Sequence, residues 1–376
     1  MSLIVDEHRF YIEDRPRIDA FRRAIREVVR PGAVVVDLGS GTGILGLLAC
    51  EAGAARVYSI EMTGMIEVAR AVAARNGFAD RIRWVHDESM HAILPERVDV
   101  VMCDQIGHFG FEAGVFEYMN DARQRFLKPE GVTIPARVAL VLAAISDPEL
   151  SAAVRLWCER PAGLDFSPVY SWAANTGYPK KFDADQCLGD PVTALKLEVG
   201  ALAGAVSLET ELAITRGGRL DGIGGWFSAA LSPGVTMTNS PFAPDRIDRR
   251  NVFLPIDPID VDAGDRVSVR MRIMPAEVVV TWRGEITRDG AVRGAFNRST
   301  VAGMLLSRDE LARQRPDYVP HLTPRGRARL TVLELCDGAR ALADIERELF
   351  ERHRDIFQTR AEAAAFATEV VTRYTD

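Results

Sequence analysis

The stretch VVVDLGSGTGILG, residues 34–46, constrains this chain more than any other. A short apolar run passes directly into three spaced glycines, Gly39, Gly41 and Gly43, and then into helical sequence. Glycine there lets the backbone adopt positive φ and approach a ligand closely, and the following helix N-terminus offers unpaired N–H groups. The same alternation continues through RVYSIE, MIEVARAVAARNG, IRWVH and RVDVVM. Strands alternating with helices imply a parallel sheet covered by helices, so residues 1–132 are expected to form an α/β, Rossmann-like domain.

The texture changes after FLKPEGVTIPARV. Runs such as RVALVLAAI, ALKLEVG, SLETELAI, GWFSAAL, RVSVRMRI and VVVTWRGEI are short, β-rich and separated by turn residues. They predict an antiparallel β-barrel domain over 133–307. One aperiodic aromatic stretch at about 160–190 interrupts it and is expected to be an arm that packs on something else. From 308 to 376 the pattern turns helical, with Leu342, Ile345 and Leu349 forming one stripe and Asp337-Gly338 a stop. A small helical C-terminal domain is expected there.

Composition excludes several classes. A net charge of −7, from 46 basic and 53 acidic residues, argues against a nucleic-acid partner. The five cysteines are scattered and never paired as CxxC, so neither a disulfide framework nor a metal site is expected, and a cytoplasmic location is. The N-terminal residues lack the apolar core of a signal peptide, and no run approaches the roughly 20 apolar residues that span a bilayer.

Two ligand classes fit the glycine loop. Gly41, Gly43 and Gly46 satisfy the GxGxxG spacing of a dinucleotide site, and Glu61, ending the next strand, could accept ribose hydroxyls in either case. Asp37 before the loop, and helical sequence before the first strand, separate the two. Both are typical of class I S-adenosylmethionine methyltransferases, whose first motif VVDLGSGTG closely resembles.

With its β-rich second half, the chain resembles the protein arginine methyltransferases over about residues 8–300. HRFYIEDRPR, GTGILGLLACEAGAARVYSIE and DARQRFLKPEGVTIPARVAL carry the resemblance. It implies that Arg17 holds the methionine carboxylate of S-adenosylmethionine and that His8 and Tyr11 lie over the cofactor. It places Gly39, Gly41 and Gly43 in the loop, Glu61 on the ribose, and Glu88 with Ser89 beside the adenine. The acceptor loop of that family carries two glutamates that grip a guanidinium. The matching segment here is CDQIGHFGFEAG, residues 103–114. Asp104 replaces the first glutamate, Gln105 a tryptophan, and the second falls on Ala113 with Glu112 beside it. A later Thr-His-Trp motif is replaced within RIDRR, residues 246–250, whose arginines would not welcome a cationic substrate.

Asp104, His108 and Glu112 are therefore the candidate catalytic residues, with His108 either a base or a structural loop histidine. The expected activity is methyl transfer to a nitrogen or oxygen nucleophile of a protein or peptide, with arginine less secure than the cofactor. The alternative acceptor is a free amino acid or another small molecule. The arm resembles the family's dimerisation arm and implies a homodimer. The segment RARLTVLELCDGARALADIERELFERH also resembles the helical core of PqqD-like domains, which bind leader peptides.

Overall fold

The computed structural model describes residues 4–200 and 204–375, which fall into two compact units, 1–304 and 305–376. The first unit opens with α1 (Ile4–Glu13) and α2 (Arg15–Val28). Asp14 caps α2, its carboxylate accepting the Arg17 N–H at 3.3 Å, and Pro16 occupies the first turn where a missing N–H is harmless. Ala20, Phe21, Ala24 and Ile25 give α2 one buried face, whereas α1 buries no side chain.

There follow β1 (Val34–Leu38), α3 (Ile44–Glu51), β2 (Arg56–Ile60), α4 (Met65–Arg75), β3 (Ile82–Val85), β4 (Val98–Cys103), α5 (Val115–Arg125) and β5 (Leu127–Ile134). The strands form one sheet in the order β3-β2-β1-β4-β5, every pairing parallel. The apolar runs are buried on both faces, as a helix-covered parallel sheet requires. The order reverses at β1, and ligands of open α/β sheets bind at the strands' carboxyl ends where that happens. Leu38 of β1 lies opposite Cys103 of β4, so Gly39 and Asp104 leave the sheet side by side.

The β-rich part contains β6 (Arg137–Ile145), α6 (Pro148–Arg155), α7 (Ser167–Ala173), β7 (Tyr178–Lys180), β8 (Val192–Glu198), β9 (Val206–Ala213), β10 (Gly218–Ser232) and β11 (Val235–Thr238). β12 (Asn251–Val261), β13 (Arg266–Met274), β14 (Val279–Arg288) and β15 (Ala291–Ser299) complete it. Their pairing is antiparallel, in two sheets. One runs β7-β12-β10-β6-β8 with β11 on β10, the other β15-β14-β13-β9. Among the described residues no strand pairing joins the two sheets into the closed barrel expected from the sequence. β12 carries Pro255 and Pro258, which hide it from a strand pattern, yet it lies between β7 and β10. The pairing accommodates Pro255 opposite Gly222, beside a shift in register.

The segment expected to be an arm is a folded excursion that packs on β12. Val154 of α6 and Ala173 and Ala174 at the end of α7 form a small core, with Trp157, Tyr170 and Tyr178 against it. β7 anchors the returning chain on β12, and the Tyr170 hydroxyl donates to Asp257 at 2.6 Å. Leu156, Leu164 and Trp172 remain exposed.

The second unit consists of α8 (Arg308–Arg313), α9 (Pro324–Leu335), α10 (Leu342–Arg352) and α11 (Arg360–Tyr374). Its own core gathers Ala328, Val332, Leu335, Ile345, Leu349, Phe366 and neighbours. Of the expected stripe, Ile345 and Leu349 are buried and Leu342 is exposed. No strand occurs among the described residues of this unit. Among the described residues no helix is long and apolar enough to cross a membrane, and no cluster of potential metal ligands is present.

Candidate active site

A cavity of about 550 Å³ opens at the carboxyl ends of β1, β2 and β4. Its floor is the glycine loop, where Gly39, Gly41 and Gly43 have φ of 63°, 54° and 76°. All three stand in the left-handed region that side chains other than glycine's tolerate poorly. A side chain at Gly41 would overlap the His8 imidazole, and one at Gly39 the Gln105 amide. The loop runs straight into α3, and Asp37 Oδ2 accepts the Gly46 N–H at 2.9 Å, tying strand end to helix start. Burial pushes the Asp37 carboxyl up to about 7.

Glu61 braces the loop from β2. Its carboxylate accepts the Gly41 N–H at 2.9 Å, the Thr63 N–H at 2.8 Å and the Thr63 hydroxyl at 2.7 Å. Glu88 and Ser89 line the far wall, and the Ser89 carbonyl is fixed by Arg125 at 2.6 Å. Tyr11 and His8 of α1 line the roof, their rings 6.0 Å apart. All nine expected cofactor residues except Gly43 line the cavity, and Gly43 starts α3 behind it.

Arg17 is only 5% exposed. It forms an ion pair through Nε with Asp104 Oδ2 and donates from Nη1 to the Tyr11 carbonyl at 3.0 Å. Its guanidinium thus ties the α1–α2 corner to the end of β4. Asp104 Oδ2 also faces Arg249 Nη2 at 3.4 Å, while Asp104 Oδ1 is buried without a hydrogen-bond partner among the described residues.

Past Asp104 the chain makes a tight loop. Glu112 closes it, its carboxylate accepting the N–H groups of His108, Phe109 and Phe111. Gly107, at φ 80°, has no room for a side chain because the Glu112 carboxylate fills the space. Glu112 therefore lines the cavity with a carboxylate already engaged by the loop's own amides. His108 lines the cavity too. Burial lowers its pKa, which keeps the ring neutral near pH 7, and its Nδ1 is buried without a partner among the described residues. The second half of the unit holds the loop in place. Phe109 packs against Gly225 of β10, where any side chain would overlap its ring. The Asn239 amide donates to the His108 carbonyl at 2.8 Å and the Arg250 carbonyl at 2.7 Å.

Sequence patterning missed the position of Arg249, Asn239 and Tyr118. Arg249 and Tyr118 line the cavity. Tyr118 follows Gly114 by one helical turn on α5, a spacing legible only once the helix start is fixed. Asn239 carries no pattern of its own.

The donor set suits an adenosylated amino acid. It offers a carboxylate for ribose hydroxyls, a guanidinium for a carboxylate, a glycine loop for close approach, and buried unpartnered atoms on Ser40, Asp104 and His108 that call for a ligand.

Comparison with known proteins agrees. A family model described as ribosomal protein L11 methyltransferase (PrmA) matches residues 22–136. A protein arginine N-methyltransferase, PRMT10, of Oryza sativa subsp. japonica is 29% identical over 297 residues, spanning 68% of this chain and 77% of that protein. An arginine N(omega)-methyltransferase of Streptomyces achromogenes subsp. streptozoticus is 27% identical over 275 residues, covering 70% and 75%. Among solved structures, the Trypanosoma brucei PRMT1 enzyme-prozyme complex with AdoHcy superimposes with a TM-score of 0.71 at 20% identity. That match covers 78% of this chain and 96% of the other. With the cavity and its donor set, these likenesses establish the chain as an S-adenosylmethionine-dependent methyltransferase similar to the protein arginine N-methyltransferases.

Proposed function

We propose that the enzyme methylates a nitrogen or oxygen nucleophile of a protein or peptide, at the mouth of the cavity lined by Asp104 and His108. The observation that carries this is their placement. Asp104 leaves β4 beside Gly39, His108 lines the same cavity from the loop that follows, and each keeps a buried polar atom without a partner among the described residues. Bound S-adenosylmethionine supplies an electrophilic methyl group. Arg17 and Glu61 hold its two polar ends, and Glu88 with Ser89 border the base. Residues 1–132 thus carry the cofactor and 133–307 complete the acceptor side. Asp104 Oδ1 accepts a hydrogen bond from the acceptor and orients its lone pair, and neutral His108 takes up a proton. Glu112 shapes the loop on which both stand.

A second acceptor class is a free amino acid. The Streptomyces relative is named for arginine rather than protein arginine. The peptide class draws instead on the plant relative's name and on the helical C-terminal unit with its likeness to leader-binding domains. The exposed Leu156, Leu164 and Trp172 of the arm further support a homodimer, which light scattering at micromolar concentration would refute by returning a monomer.

The test is labelled methyl transfer into a lysate of the source organism, read by mass spectrometry, with Asp104→Asn as the control. Label in a protein or peptide, absent with the variant, supports the first acceptor class. Label confined to small molecules selects the second. If neither appears and S-adenosylhomocysteine does not bind, methyl transfer itself is refuted.

A further inference from the structure

We propose that Arg249 is a specificity-determining residue: its guanidinium fills the acceptor side of the cavity against Asp104 and restricts the enzyme to uncharged acceptors that bear an N–H or O–H. The inference rests on the methyltransferase function and narrows its substrate class.

Arg249 comes from the connection between β11 and β12 and reaches into the cavity from the β-rich part of the unit. Nη2 lies 3.4 Å from Asp104 Oδ2, Nη1 lies 3.4 Å from the Gly107 carbonyl, and the guanidinium stands 6.0 Å from the centre of the Tyr11 ring. A carboxylate, a carbonyl and an aromatic ring are the three groups that recognise a guanidinium. Here they are already engaged by one that belongs to the protein, and its side chain is 11% exposed.

The charges around the acceptor position reinforce this. Asp104 is a single carboxylate, and Arg17 and Arg249 both address the same oxygen, Oδ2. Glu112 adds a second negative charge but has turned its oxygens into the loop amides. His108 is kept neutral by burial and by the nearby cations Arg249 and Arg250. A cationic acceptor would therefore meet two guanidiniums beside two carboxylates that are both already engaged, a juxtaposition that selects against it. The atom left over is Asp104 Oδ1, buried and without a partner among the described residues. It can only accept a hydrogen bond. A neutral nucleophile with a proton to donate satisfies it without adding positive charge.

Methylguanidinium and methylurea separate the two cases, since they share a shape and differ in charge. Each is titrated, by ligand-observed NMR, into wild-type protein, Arg249→Ala and Arg249→Gln, all with S-adenosylhomocysteine present. The wild type should prefer methylurea. Both variants should gain affinity for methylguanidinium by about ten-fold or more, the scale expected when a repelling charge leaves a partly buried site. Adding Asp104→Asn to either variant should erase that gain. Equal affinity of the wild type and both variants for methylguanidinium would overturn the role of Arg249. The glutamine variant covers the case in which alanine destabilises the loop. S-adenosylhomocysteine affinity measured in the same samples reports the cofactor site independently, so a failure of methyl transfer is distinguishable from a failure of this inference.

Discussion

Asp37 at the end of β1 and Gly46 in the first turn of α3 are joined by a single hydrogen bond, N–H to Oδ2, of 2.9 Å. The carboxyl is 1% exposed, and burial lifts it from 3.8 to about 7. The native state therefore keeps a proton between about pH 4 and 7 that the unfolded chain has released. Stability from this group is fully present below about pH 4 and declines as the pH rises through 7. Asp37→Asn keeps an oxygen to accept the Gly46 N–H and removes the titration. Thermal unfolding at pH 5 and pH 8 should show a smaller difference in the variant, by on the order of 1–4 kcal/mol. Equal pH dependence in the two proteins would contradict this assignment.

Glu61→Ala removes the acceptor shared by the Gly41 N–H and the Thr63 N–H and hydroxyl. The cofactor's ribose hydroxyls lose a charged acceptor as well, at about 1.5–3 kcal/mol per hydrogen bond, so S-adenosylhomocysteine affinity should fall roughly 10- to 100-fold. Isothermal titration measures it, and an unchanged dissociation constant would exclude Glu61 from the cofactor site.

Glu112→Ala strips the acceptor from three loop amides. A loss of about 1–3 kcal/mol in urea unfolding is expected, with turnover abolished and S-adenosylhomocysteine affinity retained. Because the carboxylate holds the loop from inside, Glu112→Gln should recover part of the stability. Full stability in the alanine variant would mean that the loop closes without this residue.

Deletion of residues 305–376 should leave S-adenosylhomocysteine binding unchanged, because the two units have separate cores and every cavity-lining residue lies in the first. Any acceptor affinity lost with the deletion would be assignable to the helical unit. A calorimetric titration of the shortened chain decides the first point directly.

The sequence was most legible where structure is local. The strand, glycine loop and helix at 34–51 announce themselves because φ > 0 demands glycine and burial on both faces demands an apolar run. Glu61 and Asp104 were legible as acids at the ends of parallel strands. Arg249 was not, because 145 residues separate it from Asp104 and its loop has no periodicity. Its chemistry was visible in RIDRR, but its partner was not. β12 was hidden for the opposite reason. Its prolines forbid ladder hydrogen bonds at two positions, and only tertiary pairing with β10 and β7 makes it a strand. Glu112 was legible as an acid of the acceptor loop but not as its brace, because the N–H groups it accepts are brought round it only by the turn at Gly107.

Asp14 bonds in two directions. One oxygen accepts the Arg17 N–H and starts α2, and the other accepts the Asp248 N–H at 2.9 Å. Asp14 thereby ties the start of α2 to the connection before β12, while α1 buries no side chain of its own. The roof over the cofactor and the wall over the acceptor consequently meet at one corner, where Tyr11 lends its carbonyl to Arg17 and its ring to Arg249. A change at Asp14 would therefore be felt by the cofactor side and the acceptor side together.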